Sequence, residues 1–286
     1  MQSLARYQKI ADEADAINTV MEKLAFELLQ LRDAEKDFLI RDDEKYVKLH
    51  EELSKLATEN LDLLKQKLGA GQLVELLKSA DSIRAGFEEY TKHFAALVDA
   101  NRKLGLNQDS GLEGSLRDSA QAIETIIEKF DEMRLTAGML AMRRYEKDFL
   151  LHHDASNLAD MKKATEIFTE AVRGTRITTA AKEDILRTVA AYQRDFLAYV
   201  EVKQDELRKQ DNLSASYAKI EPEIETIQQA FKRANAEARS MAETSRANTA
   251  LQMQLALVAA IFVSGIVAFF LAHSITQPLT SMTESM

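Results

Sequence analysis

The amino-acid sequence predicts an all-α protein. Its 286 residues include only two prolines and nine glycines, about 4% together against roughly 12% in average proteins. Sheets and long loops need these residues for their turns, so an all-β or α/β fold of this size is disfavoured. Apolar residues make up 46% of the chain, which is enough for packed helical cores and argues against general disorder.

Charge and composition exclude several classes of function. The net charge is −9 and no strongly basic block occurs, which disfavours nucleic-acid binding because phosphate contacts need a Lys/Arg face. The sequence has no cysteine, so disulfides, thiolate catalysis and cysteine-based metal sites are ruled out. This composition is compatible with a periplasmic location. The adjacent His152 and His153 point about 100° apart on a helix and make poor joint metal ligands.

The sequence contains none of the motifs that carry common enzyme chemistry. It has no phosphate-binding loop, no H-E-x-x-H, no strand-turn-helix nucleophile elbow and no Glu-x-x-His pair for a di-iron site. We therefore predict neither an enzyme nor a bound cofactor or metal ion.

The first half of the chain divides into three predicted helices. Residues 1–40 carry apolar side chains in the 4-3-4-3 spacing of a bundle seam. A break is predicted at 41–43, where an Asp can cap the next helix, and that helix should end at 69–71. A third helix is predicted over about 72–104. The seam residues of the first helix are Ile10, Ala14, Ile17, Met21, Leu24, Leu28, Leu31 and Phe38.

The second half is predicted to contain three more helices after a loop at 105–110. The predicted ranges are about 112–152, about 156–172, and a last helix from about 179 that runs into the C-terminal apolar segment. Pro222 should kink the last helix or start a new helical section. Residues 179–248 would span roughly 105 Å as one helix. Shorter helices stacked end to end must cover such a length, which favours two bundle modules.

An internal repeat supports two modules. The segment Arg32–Asp43 reads RDAEKDFLIRDD and Arg143–Asp154 reads RRYEKDFLLHHD, at an offset of 111 residues. The chain therefore resembles two related three-helix units at 1–104 and 112–249. A weaker echo at an offset of 102 pairs Tyr90 and Phe94 with Tyr192 and Phe196.

The repeat has two interpretations: two similar ligand sites, or two similar helix ends with shared packing and caps. Glu35 and Glu146 fall on the predicted seams, where an unpaired buried carboxylate costs several kcal/mol. Arg32 and Arg143, three residues earlier on the same helices, are the nearest candidate partners.

Arginines on amphipathic helices are the best candidate binding residues. A guanidinium offers a bidentate fork to a carboxylate, and tyrosine hydroxyls near the repeat could add donors. For each single arginine, a surface salt bridge is the alternative. The candidate ligand-binding residues are Arg32, Arg84, Arg143, Arg144, Tyr145, Arg187 and Arg194.

A C-terminal apolar segment predicts one membrane span. Residues 247–283 include no charged side chain, and Leu255–Ala272 is a run of 18 nearly continuous apolar residues. That length can cross a bilayer as a helix, although a buried core helix is the alternative. Its position near the C-terminus excludes a cleaved signal peptide. Since only a short segment follows it, we expect the sequence to be a fragment of a longer protein.

Three features together resemble a known family. The repeated R-x-x-E-K-D-F-L motif, the linker Gly105–Arg117 (GLNQDSGLEGSLR) and the apolar segment after them resemble the helical bimodular (HBM) sensory domain of bacterial methyl-accepting chemotaxis receptors. The segment SITQPLTSMTE, with Pro278 soon after the predicted span, is similar to the opening of a HAMP linker. The resemblance covers nearly the whole chain.

The resemblance implies a fold, a location and partners. It implies two stacked four-helix-bundle modules built from about six helices. Residues 1–249 would be periplasmic, 250–273 would form a transmembrane helix in the bacterial inner membrane, and 274–286 would start a cytoplasmic HAMP linker. It implies small carboxylate ligands, such as organic acids or acetate, and a homodimer. The missing cytoplasmic part would meet a histidine kinase and its coupling protein.

The expected mechanism is ligand-dependent packing. An anionic ligand would bind between helices, contacting Arg32 or the pair Arg143/Arg144, and favour one of two packings. The last helix would carry the displacement across the membrane. Two alternatives remain open: the same sensory domain on a transmembrane sensor histidine kinase, and a membrane-anchored structural coiled coil without a ligand.

Overall fold

A computed structural model describes residues 2–70, 73–154 and 156–283. Side chains are described for most of 12–257, and for only a few residues outside that range. The described residues form helices and short connections, with no strand, which confirms the all-α prediction. The helices are α1 (Gln2–Arg41), α2 (Glu44–Ala70), α3 (Val74–Leu104), α4 (Gly111–Ile127), α5 (Met133–His152), α6 (Ser156–Gly174) and α7 (Thr179–Thr283).

Two hydrophobic cores hold these helices together. The first core is lined by α1, α2, α3 and residues 213–231 of α7. The second core is lined by α4, α5, α6 and residues 185–200 of α7, with one residue from the end of α3. Each core therefore draws on four helices, and α7 serves both. The predicted unit 112–249 supplies one of the helices around the core of the unit 1–104.

The repeat extends to the backbone at two equivalent helix junctions. Asp42, after α1, and His153, after α5, both have a left-handed backbone, with φ of 50° and 56°. The next residues, Asp43 and Asp154, each accept a hydrogen bond at 2.9 Å from the backbone N–H two residues further on. Each aspartate thus caps the following helix, as the sequence predicts for the first junction.

The predicted loop at 105–110 is present and tightly folded. Gly105 and Gly111 have φ of 119° and 59°, a region that residues with a Cβ rarely adopt. A Cβ on Gly111 would lie 2.6 Å from the Gly105 nitrogen. The close approach of these two backbone segments therefore requires glycine.

The predicted single helix over 112–152 is wrong, because α4 ends at Ile127 and α5 begins at Met133. The apolar residues of both helices lie in the second core. A straight helix of that length would extend for about 60 Å and could not place both halves in one core. The chain turns instead, and the half-buried Phe130 packs against that core.

Of the two alternatives predicted at Pro222, a kink or a new helical section, the second is wrong, because α7 is continuous through this residue. Proline removes one backbone donor from a helix. Ile220 and Ile224, on either side of it, are buried in the first core. Burial of these side chains offsets the missing hydrogen bond.

The predicted span at 250–273 and the predicted linker at 274–286 lie mostly outside the residues whose side chains the structure describes. Within the part of the chain that is described, none of the helices has an apolar stretch of sufficient length to cross a bilayer.

Candidate functional site

The repeated motif builds a buried ion pair in the first core. The Arg32 guanidinium donates from Nη1 to both carboxylate oxygens of Glu35, at 2.6 Å each. The Tyr90 hydroxyl, from α3, donates to Glu35 Oε2 at 2.9 Å. Glu35 is only 3% exposed. The predicted partnership of Glu35 with the arginine three residues earlier is confirmed, and Tyr90 is a further partner.

The second core repeats this arrangement. Arg143 Nη1 donates to Glu146 Oε2, and the Tyr192 hydroxyl from α7 donates to the same oxygen at 2.5 Å. Glu146 is 1% exposed. We refer to the two sets of Arg, Glu and Tyr as the first and second trios. This contact explains the weaker match between Tyr90 and Tyr192 in the sequence, because each tyrosine donates to the glutamate of one copy of the repeated motif.

Paired aromatic rings accompany each trio. Phe38 meets Phe94 edge to face at 6.0 Å between ring centroids, and Phe149 meets Phe196 in the same way at 5.6 Å. One phenylalanine of each pair follows the glutamate by three residues, and the other follows the tyrosine by four. The duplicated feature is therefore a contact between two helices, with shared packing and shared caps.

The surroundings of the trios shift the pKa of both tyrosines and of Arg143. Burial raises the pKa of Tyr90 and Tyr192, and the nearby Glu35 and Glu146 charges raise them further. Both phenols stay protonated and serve as donors. Burial would lower the pKa of Arg143, but the charge of Glu146 and its hydrogen bond outweigh that effect, and the pKa is raised.

Two aromatic neighbours close the first trio. His50 Nε2 lies 3.3 Å from the Tyr90 hydroxyl, and the imidazole stacks on Phe94 at 3.7 Å between centroids. Burial lowers the pKa of His50 to about 3, so the ring is neutral near pH 7. The Arg32 guanidinium lies over the Tyr217 ring, 4.8 Å from its centroid. No motif in the sequence singles out His50.

The second trio instead borders a cavity of about 210 Å³ beside α4 and α5. Arg143 and Glu146 form part of its wall. Lys147 lies 3.4 Å from Glu146 Oε1 and is 60% exposed. Arg117 pairs with Asp109 of the preceding loop. The charged lining residues of this cavity, which we call the acid cavity, are Glu113, Arg117, Arg143, Glu146 and Lys147.

The acid cavity is suited to a small anion. Its lining holds three cations and two carboxylates. Arg117 pairs with the exposed Asp109, and Arg143 lies near the partly exposed Glu124. Such exposed pairs are worth little and exchange easily. Sequence reasoning identified Arg143 but missed Arg117 and Lys147. Both were visible in the motifs, since Arg117 ends the linker and Lys147 follows the repeated glutamate.

The remaining candidate residues lie apart from the acid cavity. Arg84 joins α3 to Asp62 of α2. Tyr145 packs against the second core, and the Arg144 guanidinium lies 5.8 Å from its ring centroid. Arg144, Arg187 and Arg194 are exposed and pair with aspartates on their own helices, Asp148, Asp184 and Asp195 respectively.

No group of three or more His, Asp or Glu side chains in the described part of the chain is arranged to hold a metal ion. No protein-family model matches the sequence, and no curated protein matches it. The functional interpretation therefore depends on side-chain geometry and on the resemblance carried by the repeat, the linker and the apolar segment.

Proposed function

We propose that this chain is the sensory region of a bacterial chemoreceptor that binds a small organic acid in the acid cavity. The observation that carries the proposal is the convergence of Arg117, Arg143 and Lys147 on one cavity of about 210 Å³ beside a buried ion pair. This volume corresponds to about seven water molecules, which suits an acid of two to six carbons.

The chemistry of the lining explains how an acid would be held. Arginine offers five N–H donors and lysine three. The Arg143 guanidinium is fixed by Glu146 through Nη1 and lies 3.6 Å from Glu124 through Nε, so Nη2 would be the donor offered to a ligand. Arg117 can exchange its exposed partner Asp109 for a ligand carboxylate at low cost. The Lys147 ammonium is itself 60% exposed and can reach a ligand while it stays beside Glu146. Glu113 would set specificity by disfavouring additional negative charge near it.

The continuity of α7 supports a route for the signal. In this proposal the fold is two stacked four-helix-bundle modules, residues 250–273 cross the inner membrane, and 1–249 are periplasmic. An acid that favours one packing of the second core would shift α7, which also packs in the first core. A ligand can shift this balance only by its differential affinity for the two packings.

The same proposal covers the downstream partners. Residues 274–286 would open a HAMP linker, and a homodimer would pass the signal to a histidine kinase and its coupling protein.

Calorimetric titration tests acid binding. The full chain in detergent micelles is titrated with acetate, malate and citrate. We expect one of these acids to bind, and Arg117→Ala to weaken that binding at least tenfold, because the variant removes a lining cation. Arg187→Ala is the matched control, since Arg187 is 78% exposed and its one ion pair among the described residues is with Asp184, three residues earlier on the same helix.

Two results would contradict the proposal. One is a folded, helical protein that binds none of the three acids. The other is an acid that binds Arg117→Ala and Arg187→Ala equally well. Arg117 is preferred to Arg143 for this test because loss of Arg143 would also strip the buried Glu146 of its partner.

A further inference from the structure

A second polar cavity, of about 270 Å³, lies where the two cores meet. The residues that follow α1 and α5, Asp42 and His153, both line it. These two residues occupy equivalent positions of the repeat. The fold thus brings both repeated helix ends to one place, beside residues of α7 that line the same space. We call this space the junction cavity.

Residues of α7 supply most of its charge. Glu206 lines the junction cavity and is only 3% exposed. The Lys203 ammonium lies 2.9 Å from Glu206 Oε2, but this contact lacks hydrogen-bond geometry. Among the described residues, no donor makes a hydrogen bond to that buried oxygen. The Lys203 charge beside this oxygen offsets part of the cost of its burial, but a buried carboxylate oxygen that accepts no hydrogen bond stays costly, and Glu206 lines a polar space.

The junction cavity is short of positive charge. Asp42 and Glu113 also line it, and neither forms an ion pair with another residue of the described chain. Lys203 is therefore one ammonium facing three carboxylates. His153 adds no charge near pH 7, because burial and the Lys203 charge both lower its pKa.

We propose that the junction cavity binds a small organic cation that carries a primary ammonium group. An ammonium has three donors, so it can bond Glu206 Oε2 and the Asp42 carboxylate together. The volume corresponds to about nine water molecules, which suits a short aliphatic amine. A bare metal ion fits less well, because the described carboxylates and histidines are not arranged as a ligand set.

The junction cavity would bind a cation and the acid cavity an anion, and the two lie in different places. They are nevertheless adjacent. Glu113 lines both cavities. An amine in the junction cavity would offset the Glu113 charge and so strengthen the binding of an acid next door. It would also bridge both helix ends and α7, and would stabilise one relative placement of the two cores.

Titration of the full chain in detergent micelles with ethanolamine and with putrescine tests this site. Sodium chloride at the same ionic strength is the blank. We expect at least one amine to bind, and Asp42→Asn to weaken that binding at least tenfold. Asparagine tolerates the left-handed backbone at this position. The matched control is Asp118→Asn, which neutralises an exposed carboxylate on the helix that carries Glu113.

Glu206→Gln is the second variant and should also weaken binding at least tenfold. The proposal is overturned if the folded protein binds neither amine, or if Asp42→Asn and Glu206→Gln bind as tightly as Asp118→Asn. Arg117→Ala should lose acid binding yet keep amine binding, because Arg117 does not line the junction cavity. Failure of the amine site and failure of the acid site are thereby distinguishable.

Discussion

The two trios share their chemistry but not their surroundings. In the first trio, His50 and Tyr217 pack against the ion pair. His50 also lines a cavity of about 310 Å³, but Arg32, Glu35 and Tyr90 are not among the residues that line it. In the second trio, Lys147 and a cavity of about 210 Å³ border the same ion pair. The repeated motif therefore specifies a buried Arg–Glu–Tyr contact. Lys147 belongs to the motif and has the counterpart Lys36 in the first unit. The difference therefore lies in side chains outside the motif, which are His50 and Tyr217 at the first trio and Glu113 and Arg117 at the second.

Position 50 illustrates how small the difference is. The residue of the second unit at the same offset of 111 is Met161, which is buried in the second core. An imidazole nitrogen can approach the tyrosine hydroxyl, whereas a thioether only fills space. The first trio thus gains a polar contact from the His50 imidazole, whereas Met161 gives the second trio none.

The largest expected contrast is between Arg32→Ala and Arg143→Ala. Removing one partner of a buried ion pair costs about 3–5 kcal/mol, and we expect that loss in the first core. The second core should lose less, about 1–3 kcal/mol, because Lys147 and the open cavity can still solvate Glu146. Native-state hydrogen exchange of α1 and α5 measures the local free energies of unfolding.

Arg194→Ala, an exposed site, is the control for that comparison and should change neither core. Equal losses of unfolding free energy in the two cores would show that the cavity does not solvate the buried Glu146. The two trios would then differ in geometry but not in stability.

A second, smaller contrast concerns acid sensitivity. The pKa of His50 is about 3 in the folded protein and about 6.5 when unfolded. Between these values the unfolded state binds the extra proton, so stability falls as pH falls, by about 1.4 kcal/mol per pH unit. From pH 6.5 to pH 5 the first core should lose about 1.6 kcal/mol from this group, because the unfolded imidazole is already half protonated at pH 6.5.

His50→Met, which installs the residue of the second unit, should remove that loss. The measurement is hydrogen exchange of α3 in both proteins at the two pH values, so that the titration of other groups cancels. Parallel pH dependence in the two proteins would mean that His50 does not carry the effect.

The smallest expected effect tests the equivalence of the two helix junctions. Asp43→Ala and Asp154→Ala each remove one helix cap and should each cost about 1 kcal/mol. Hydrogen exchange in the first turns of α2 and α6 is the measurement. A cost confined to one junction would show that the repeated backbone geometry does not confer the same stability on both helices.

Several features of the fold could be predicted from neighbouring residues alone. The all-α class followed from the scarcity of glycine and proline. The loop at 105–110, the cap at Asp43 and the pairing of Arg32 with Glu35 followed from local spacing. Residues three apart on a helix lie on the same face, so that pairing needs no knowledge of the fold.

Other features depended on which helices pack together. Nothing in the sequence ends a helix at Ile127, and the turn that follows exists because α4 and α5 share the second core. Likewise α7 stays helical through Pro222 because residues on both sides are buried. Local propensity is worth a few kcal/mol at such points, and burial of apolar side chains outweighs it.

The sequence by itself determined the all-helical class, the duplication and the arginine beside each buried glutamate, because these depend on composition and on residues within one or two turns. Only the tertiary structure decided that Tyr90, 55 residues from Glu35, completes the first trio and that His50 closes it. It also decided that Arg117 and Lys147 meet at the second trio, and that Asp42 and His153 share one cavity. Contacts between distant helices depend on how whole apolar faces are buried together, and helical periodicity alone leaves the choice of partner face open.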